Sequence, residues 1–578
     1  MLKLAVYLRK YKKECILGPI FKFLEVVFEL LLPTIMALII NVGVAGRDRA
    51  YVLKMGGLMV LLACCGYGCA FICQRFASRA SQGFGTALRN AVFERILSFT
   101  YAQSDRFGAP TLTNRITNDI NQLQLWVAMM IRLVSRAPFI CIGAILMSFL
   151  LDFRLALILL ASTPVLAGII FFITKNAAPL YRGYQKQLDR LAAVLSENLS
   201  GVRVIRAFSK IREETGRFGK TNDELMESGL AVGRLSSFFN PLTSLVVNIV
   251  VILILWAGSL HIDAGRLSQG QIIAFINYVN QILAALLVLS NLIILLTKSM
   301  ASAARINEIL DTPPGMEDTR SEAPGLPDVS APAVDFEDVS FGYNRTGGYA
   351  LEHINVSIEK GETIGVIGGT GSGKSTFINL IARFYDASEG CIRVDGIPVR
   401  KYPLSALRKK IGLVPQQTML FTGTVAENIR WGNTDADIEA VRAAAVMAQA
   451  DEFIRELPQG YDSPVRRGGT NLSGGQRQRL AIARALAAKP EILILDDATS
   501  ALDFVTDARL RRAIRENSRT QTVLLVSQRV GVVKSADRII VLEDGRVEGI
   551  GTHDALLETC QAYREICLSQ ISGEEVQS

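Results

Sequence analysis

Apolar and polar positions change their rhythm partway along the chain. Up to about residue 305 long apolar runs dominate, and after about residue 333 the apolar runs shorten to strand length and alternate with helical patterns and charged loops. Six of the long runs, at about 16–44, 55–76, 128–151, 155–175, 239–260 and 271–298, each hold the ~20 residues needed to cross a bilayer core. A chain of 578 residues also exceeds what one core fills, since single cores stop growing near ~250–300 residues. The pattern therefore predicts several domains, the first of them an all-α bundle of six membrane-spanning helices.

The connections between these runs are unequal. Those near 45–54, 152–154 and 261–270 are short, whereas those near 77–127 and 176–238 are long and rich in Arg and Lys. The opening residues 1–14 are basic and amphipathic, and no small-residue cleavage site follows, so the first run reads as an uncleaved span. By the positive-inside rule both termini and both long loops are expected in the cytoplasm, in a multi-pass protein of the inner or plasma membrane. Polar as they are, the long loops suit helices that continue out of the membrane. The formal net charge of +8 sits largely in these loops, which accounts for it without a nucleic-acid partner.

Ionisable residues within the runs come in sets. Lys22, Glu25 and Glu29 share one helical face, as do Arg132 and Arg136. Charges at such depth are costly unless paired or facing water. They pair across the two helices, or Glu25 and Glu29 face a cavity and attract a cationic substrate. Asn277, Asn280, Gln281 and Asn291 form a second polar stripe in the sixth run, lining a pathway or bonding a neighbouring helix. Among nine irregularly spaced cysteines, Cys65, Cys69 and Cys73 recur every four residues, a pattern that packs as small hydrophobes or, less commonly, holds a soft metal.

The most specific chemistry lies in the second half. The apolar run Thr363–Ile367 reads as a strand and Phe377–Phe384 as a helix, and between them stand Gly368, Gly369, Thr370, Gly371, Ser372, Gly373, Lys374, Ser375 and Thr376. This matches the phosphate loop G-x-x-x-x-G-K-[ST] in its required strand–helix setting. Glycines let backbone N–H groups close around phosphate oxygens, Lys374 reaches the outer phosphates, and the Ser375 hydroxyl can hold Mg²⁺. Downstream, Ile411–Val414 reads as a strand followed by Gln416. Ser473, Gly474, Gly475 and Gln476 open a helix, a second anion-binding start. The buried strand Ile492–Leu495 ends in Asp496 and Asp497, where one acid can hold Mg²⁺ and the next can orient water. Tyr343, about 25 residues before the phosphate loop, reads as an edge-strand aromatic or an adenine-stacking platform.

Together these motifs resemble those of an ATP-binding cassette (ABC) exporter of the half-transporter kind, and the resemblance covers nearly the whole chain. It implies a transmembrane domain over 1–305, a linker over 306–333, an α/β P-loop nucleotide-binding domain over 334–570 and a tail over 571–578. It further implies ATP and Mg²⁺ as cofactors, an adenine-stacking Tyr343, a Walker A motif at Gly368–Ser375, a Q-loop at Gln416 that reaches the metal, and a signature at Leu472–Gln476. Walker B would end at Asp496, next to a metal set of Ser375, Gln416 and Asp496, and the D-loop would be Ser500–Asp503. Arg115 with Asp119, and the stretch from Asn198 to Phe208, also fit the family. A soluble cassette ATPase and a nucleic-acid ATPase are excluded by the six spans.

Two departures from the family pattern change the expectation. The residue after the Walker B Asp is usually Glu but here is Asp497, and the switch position is usually His but here is Gln528. Asp is one methylene shorter, about 1.5 Å of reach, and Gln cannot titrate as His does. ATP-binding groups and the signature are retained. The chain thus resembles the degenerate-site subunit of heterodimeric bacterial ABC multidrug exporters, with Asp497, Gln528 and Gln416 as its catalytic positions; the alternatives are an Asp497 that still serves as base through a shifted water, a homodimeric lipid or drug exporter with reduced ATPase activity, and an ATP-gated channel or regulatory subunit. Implied partners are a second half-transporter, the lipid bilayer and a hydrophobic or amphipathic small-molecule substrate. Arg467 stands where exporters often carry an acid.

Overall fold

The computed structural model describes residues 2–263, 267–313, 315–316, 330–343, 348–517 and 521–575. The chain divides into two units, one of Met1–Ser98 with Phe107–Pro313, the other of Phe99–Arg106 with Pro314–Ser578.

Among the described residues of the first unit, six helical segments are long and apolar enough to cross a membrane: Lys3–Val44, Arg49–Leu97, Ala109–Leu151, Phe153–Ser200, Ile211–Ile262 and Gln269–Asp311. Each runs to 42 residues or more, so the polar loops at 77–127 and 176–238 are largely helical. The short connections turn at capping residues. Asp48 accepts from the amides of Ala50 and Tyr51, Asp152 accepts from those of Arg154 and Leu155, and Ser268 with Gln271 forms a capping box. The sixth helix continues to Asp311, into the stretch from 306 read as linker, and most of that linker lies outside the described residues.

Polar side chains join these helices at many points, among them Asn41 with Ser268, Arg89 with Asn121 and Thr174 with Ser290. Tyr278, fully buried, donates to the Leu30 carbonyl at 2.9 Å and bonds the Thr34 hydroxyl. Asp119, 3% exposed, accepts from Arg305 and from Ser302 at 2.9 Å, while Arg115 pairs with Glu308 at 2.9 Å. The Arg115 and Asp119 positions therefore lock the third helix to the C-terminal end of the sixth. Glu25 pairs with Lys22 on its own helix at 2.7 Å, and Glu29 with Arg136 at 2.9 Å, whereas Arg132 bonds the Ser78 hydroxyl. Pairing across helices thus holds for Glu29 and not for Glu25. All nine cysteines are free; Cys73 is core, and Cys64 and Cys65 are exposed.

The second unit is an α/β domain. Its six-stranded sheet has the order Arg546–Gly551, Arg538–Glu543, Thr363–Ile367, Thr522–Val526, Ile492–Asp496, Ile411–Val414, parallel throughout except for the first pair. The parallel strands are near-continuous apolar runs, as strands buried on both faces must be. A four-stranded antiparallel sheet, ordered Leu351–Ile358, Val334–Phe341, Glu389–Val394, Ile397–Pro398, packs beside it around Phe336 and Phe377, whose rings stack at 4.4 Å. A separate core, with Leu480, Ile482, Val441 and Ile454, gathers the helices between 425 and 487. Segment Phe99–Arg106 packs with this unit: Tyr101 lies 4.4 Å from the Phe384 ring, and the Tyr385 hydroxyl donates to Asp105 at 3.3 Å. The final helix, Gln561–Glu575, enters the expected tail; residues 576–578 lie outside the described residues.

Candidate functional site

Parallel pairing aligns the carboxyl ends of four strands, which is where ligands bind in open α/β sheets. Val366 pairs with Val526, Val526 with Asp496, and Val414 with Leu495. One edge therefore carries the phosphate loop after Ile367, Ser527 and Gln528 after Val526, Asp497 after Asp496, and Gln416 two residues beyond Val414.

The phosphate loop closes tightly because its glycines admit what side chains cannot. A Cβ on Gly368 would lie 2.1 Å from the Leu542 carbonyl oxygen, and Gly373 has φ +96° with the Ala350 carbonyl 2.9 Å from where its Cβ would stand. Helix Lys374–Ile381 starts immediately after, three residues earlier than the Phe377 start read from sequence. Lys374 Nζ donates to the carbonyls of Gly368 at 2.8 Å and Gly369 at 2.6 Å, so its ammonium lies against the loop. Gly369, Thr370, Gly371 and Ser375 are exposed at its mouth, while Ser372 and Thr376 are buried beneath.

Electrostatics tie the loop to the strand ends. Burial pushes the Lys374 amine below its ordinary value, and Asp496 and Asp497 pull it back up. Burial, and then the Asp497 carboxylate beside it, push the Asp496 carboxyl above its ordinary value, against Lys374 and a hydrogen bond with the Ser375 side chain. The shared Ser375–Asp496 contact places a hydroxyl and a carboxylate together, the hard oxygen donors that suit Mg²⁺. Asp497 itself is held in the left-handed region at φ +45°, its amide donating to the Val526 carbonyl at 2.8 Å and its carboxylate accepting from Ser527 at 3.3 Å. Such a conformation is uncommon outside glycine and best tolerated by Asn and Asp.

Tyr343 is half exposed, with Phe341 and Tyr385 edge-on at 4.9 and 5.2 Å. Its hydroxyl bonds Thr376 at 2.9 Å, fixing an open aromatic face to the phosphate-loop helix. Burial, followed by Asp105, pushes the Tyr385 phenol up to about 12, so it stays a donor.

Ser473 caps helix Gly474–Ala487 in a capping box with Gln476. Among the described residues no hydrogen bond or ion pair joins Ser473–Gln476 to the phosphate loop of the same chain. Two residues here escaped sequence reasoning. Gln478, 6% exposed, donates to Ser500 at 3.2 Å and accepts from the Ala501 amide at 2.9 Å, tying the signature helix to the D-loop. Gln570 donates to the Gln528 carbonyl at 2.7 Å and accepts from the Val530 amide at 2.9 Å, clamping the turn that carries the switch residue. Neither is marked by spacing, since both act over tertiary distance. Gln478→Ala should cost about 1–3 kcal/mol by stranding buried polar groups, seen as a lower thermal midpoint with ATP binding retained. Arg467 is exposed, on a turn braced by Asn471, which accepts from the Arg466 amide and donates to the Pro464 carbonyl.

Six spanning helices joined to this α/β nucleotide-binding domain define an ABC exporter fold. Residues 15–286 match the family "ABC transporter transmembrane region" and residues 351–500 match "ABC transporter". The chain belongs to the ABC transporter family and is an ATP-driven exporter, a multi-pass membrane protein of a class that works as dimers with the nucleotide-binding domains in the cytoplasm. It is 37% identical over the full length of both chains to the uncharacterized ABC transporter ATP-binding protein YfiB of Bacillus subtilis (strain 168). It is 33% identical to the fatty acid ABC transporter ATP-binding/permease protein of Mycobacterium bovis, over 83% of this chain and 75% of that one. A bacterial Atm1-family ABC exporter solved with ATP bound superposes with a TM-score of 0.79 at 25% identity, covering 97% of this chain and 98% of that one.

Proposed function

We propose that this chain is one half of a heterodimeric exporter of amphipathic, drug- or lipid-like molecules across the cell membrane. In this reading its own Walker site grips ATP and hydrolyses it slowly. ATP stacks on Tyr343 and lies in Gly368–Thr376, with Lys374 on its outer phosphates. Ser375, Asp496 and Gln416 would hold Mg²⁺, which supplies charge neutralisation at the phosphates.

The observation that carries the reading is the pairing of two departures, Asp497 and Gln528, at strand ends where binding groups are otherwise complete. The Asp497 carboxylate leans on Ser527, and near-attack geometry tolerates little misplacement: a ~1 Å error costs on the order of 10²-fold. Ser473, Gly474, Gly475 and Gln476, with their helix start intact, are offered to the partner's ATP. Lipid-like cargo gains support from the relative named as a fatty acid transporter.

The test reconstitutes the chain with its partner in liposomes and compares ATP-dependent flux of labelled amphiphiles with ion conductance. Flux without conductance is expected. Conductance without flux would make the chain an ATP-gated channel subunit and sink the exporter reading.

A further inference from the structure

We propose that Gln570 and the Asp507–Arg511 pair are positioning residues for ATP hydrolysis: from two separate helices they fix the backbone turn that carries Gln528, and so set where its side-chain amide meets the outer phosphate of ATP. The proposal rests on the reading above of Gln528 as the switch residue of this chain's site. Gln528 stands two residues beyond Val526, which pairs with Asp496, so it shares the ligand-binding edge of the sheet with Asp497 and the phosphate loop. Its side chain is exposed and makes no hydrogen bond among the described residues, whereas its carbonyl is engaged. Held at the backbone and free at the side chain, it is placed to meet a ligand.

Two clamps hold the turn. Gln570, on helix Gln561–Glu575, donates to the Gln528 carbonyl at 2.7 Å and accepts from the Val530 amide at 2.9 Å, so one planar amide grips an acceptor and a donor of the same turn. Its helix is anchored in turn: Tyr563 and Cys567 are buried in one core with Val533, just past the turn, and with Ile367, the last strand residue before the phosphate loop. From the other side Arg511, on helix Phe504–Asn517, donates to the carbonyls of Gly531 at 2.9 Å and Val532 at 3.3 Å. Its guanidinium is aimed by Asp507, buried one helical turn earlier and 2.9 Å away.

The second clamp also keys the turn to the rest of the nucleotide machinery. Helix Phe504–Asn517 starts directly after Ser500–Asp503, where the Asp503 carboxylate accepts from the Thr506 amide and Gln478 of the signature helix holds the Ala501 amide. The placement of Gln528 is thus tied to the signature helix through Arg511 and to the root of the phosphate loop through Gln570. Reacting groups must be held to about 0.5 Å by such supporting bonds. Releasing either clamp moves Gln528 and leaves Tyr343, Lys374 and Ser375 in place, so the rate falls while ATP affinity holds.

The test follows single-turnover ATP hydrolysis by the assembled transporter in nanodiscs, in the phase that Lys374→Ala abolishes and that therefore belongs to this chain's own site. Gln528→Ala slows that phase by about tenfold or more, as loss of a donor at developing charge does. Gln570→Leu slows it by about fivefold, the scale of a displacement by a fraction of an ångström, with ATP affinity changed by less than about twofold, as for a group felt only in the transition state. In the Gln528→Ala background the same Gln570→Leu change alters the rate by less than about twofold yet lowers the thermal midpoint as much as before, because the two residues act as one unit. Arg511→Lys keeps a charge for Asp507 but not the fork that also reaches Gly531; it serves if Gln570→Leu fails to assemble, and follows the same pattern with about a threefold loss. An unchanged rate in both clamp variants, or equal slowing with and without the Gln528 side chain, overturns the positioning proposal. Gln528→Ala at the parental rate overturns instead the reading of Gln528 as the switch residue beneath it.

Discussion

Asp497→Glu combined with Gln528→His should raise ATP turnover at this chain's proposed slow site by about 10²-fold, the scale of a ~1 Å error in near-attack geometry. The added methylene carries the carboxylate about 1.5 Å further, past the Ser527 hydroxyl that Asp497 now engages at 3.3 Å. Histidine at 528 supplies a group that titrates near neutral pH, which glutamine cannot. The turn beneath it needs no rebuilding, because Gln570 holds the Gln528 carbonyl and the Val530 amide rather than the Gln528 side chain. Position 497 carries the one obstacle: its φ of +45° suits Asp better than Glu. Each single change therefore yields less than the pair, and single-turnover hydrolysis in the assembled transporter reads the difference. No gain from the double variant would place the limit elsewhere than these two residues.

The second large effect is an asymmetry between the two halves of this chain's nucleotide machinery. In the proposed heterodimer, Ser473→Ala should lower steady-state ATP turnover by about 10²-fold, as removal of a donor aimed at developing charge does. Lys374→Ala, at the site proposed to be slow, should lower it by less than about tenfold, or about 1.4 kcal/mol of barrier. Part of the Ser473→Ala loss is structural, since the side chain caps helix Gly474–Ala487 and the cap contributes about 1 kcal/mol. Ser473→Asp separates the two roles. Aspartate caps equally well but, in the proposed arrangement, would set a carboxylate against the partner's phosphate, so turnover should collapse while the thermal midpoint holds. Equal losses from Lys374→Ala and Ser473→Asp would indicate two equivalent sites, as in a homodimer.

The parts of the molecule legible from sequence are those fixed by short-range spacing. The six apolar runs located the spanning helices, and the phosphate loop, Asp496 and the signature were marked by motif and by their strand or helix setting. What escaped depends on contacts between distant segments. Glu25 was placed on a face with Lys22, yet its choice of Lys22 over Arg132 depends on the third helix sitting nearer Ser78 and Glu29. Gln478 and Gln570 each bind backbone 20 or more residues away, and no local pattern distinguishes them from surface glutamines. Tyr343 reads from sequence as an edge aromatic or a platform, and its packing against Tyr385 and its bond to Thr376 join segments that no local pattern links. The composition of the long polar loops allowed helix but did not mark where the helices break, around Phe99–Thr100 and at Gly201.

The most direct measurement of the central claim is ATP hydrolysis by this chain purified alone in nanodiscs, set against the same chain assembled with a half-transporter that carries Glu and His at the positions matching Asp497 and Gln528. Alone, the chain should bind ATP with Mg²⁺ and hydrolyse it at a small fraction of the assembled rate, with activity appearing on assembly and depending on Ser473. Brisk turnover by the chain alone, lost on Asp497→Asn, would contradict the account and make Asp497 a competent general base.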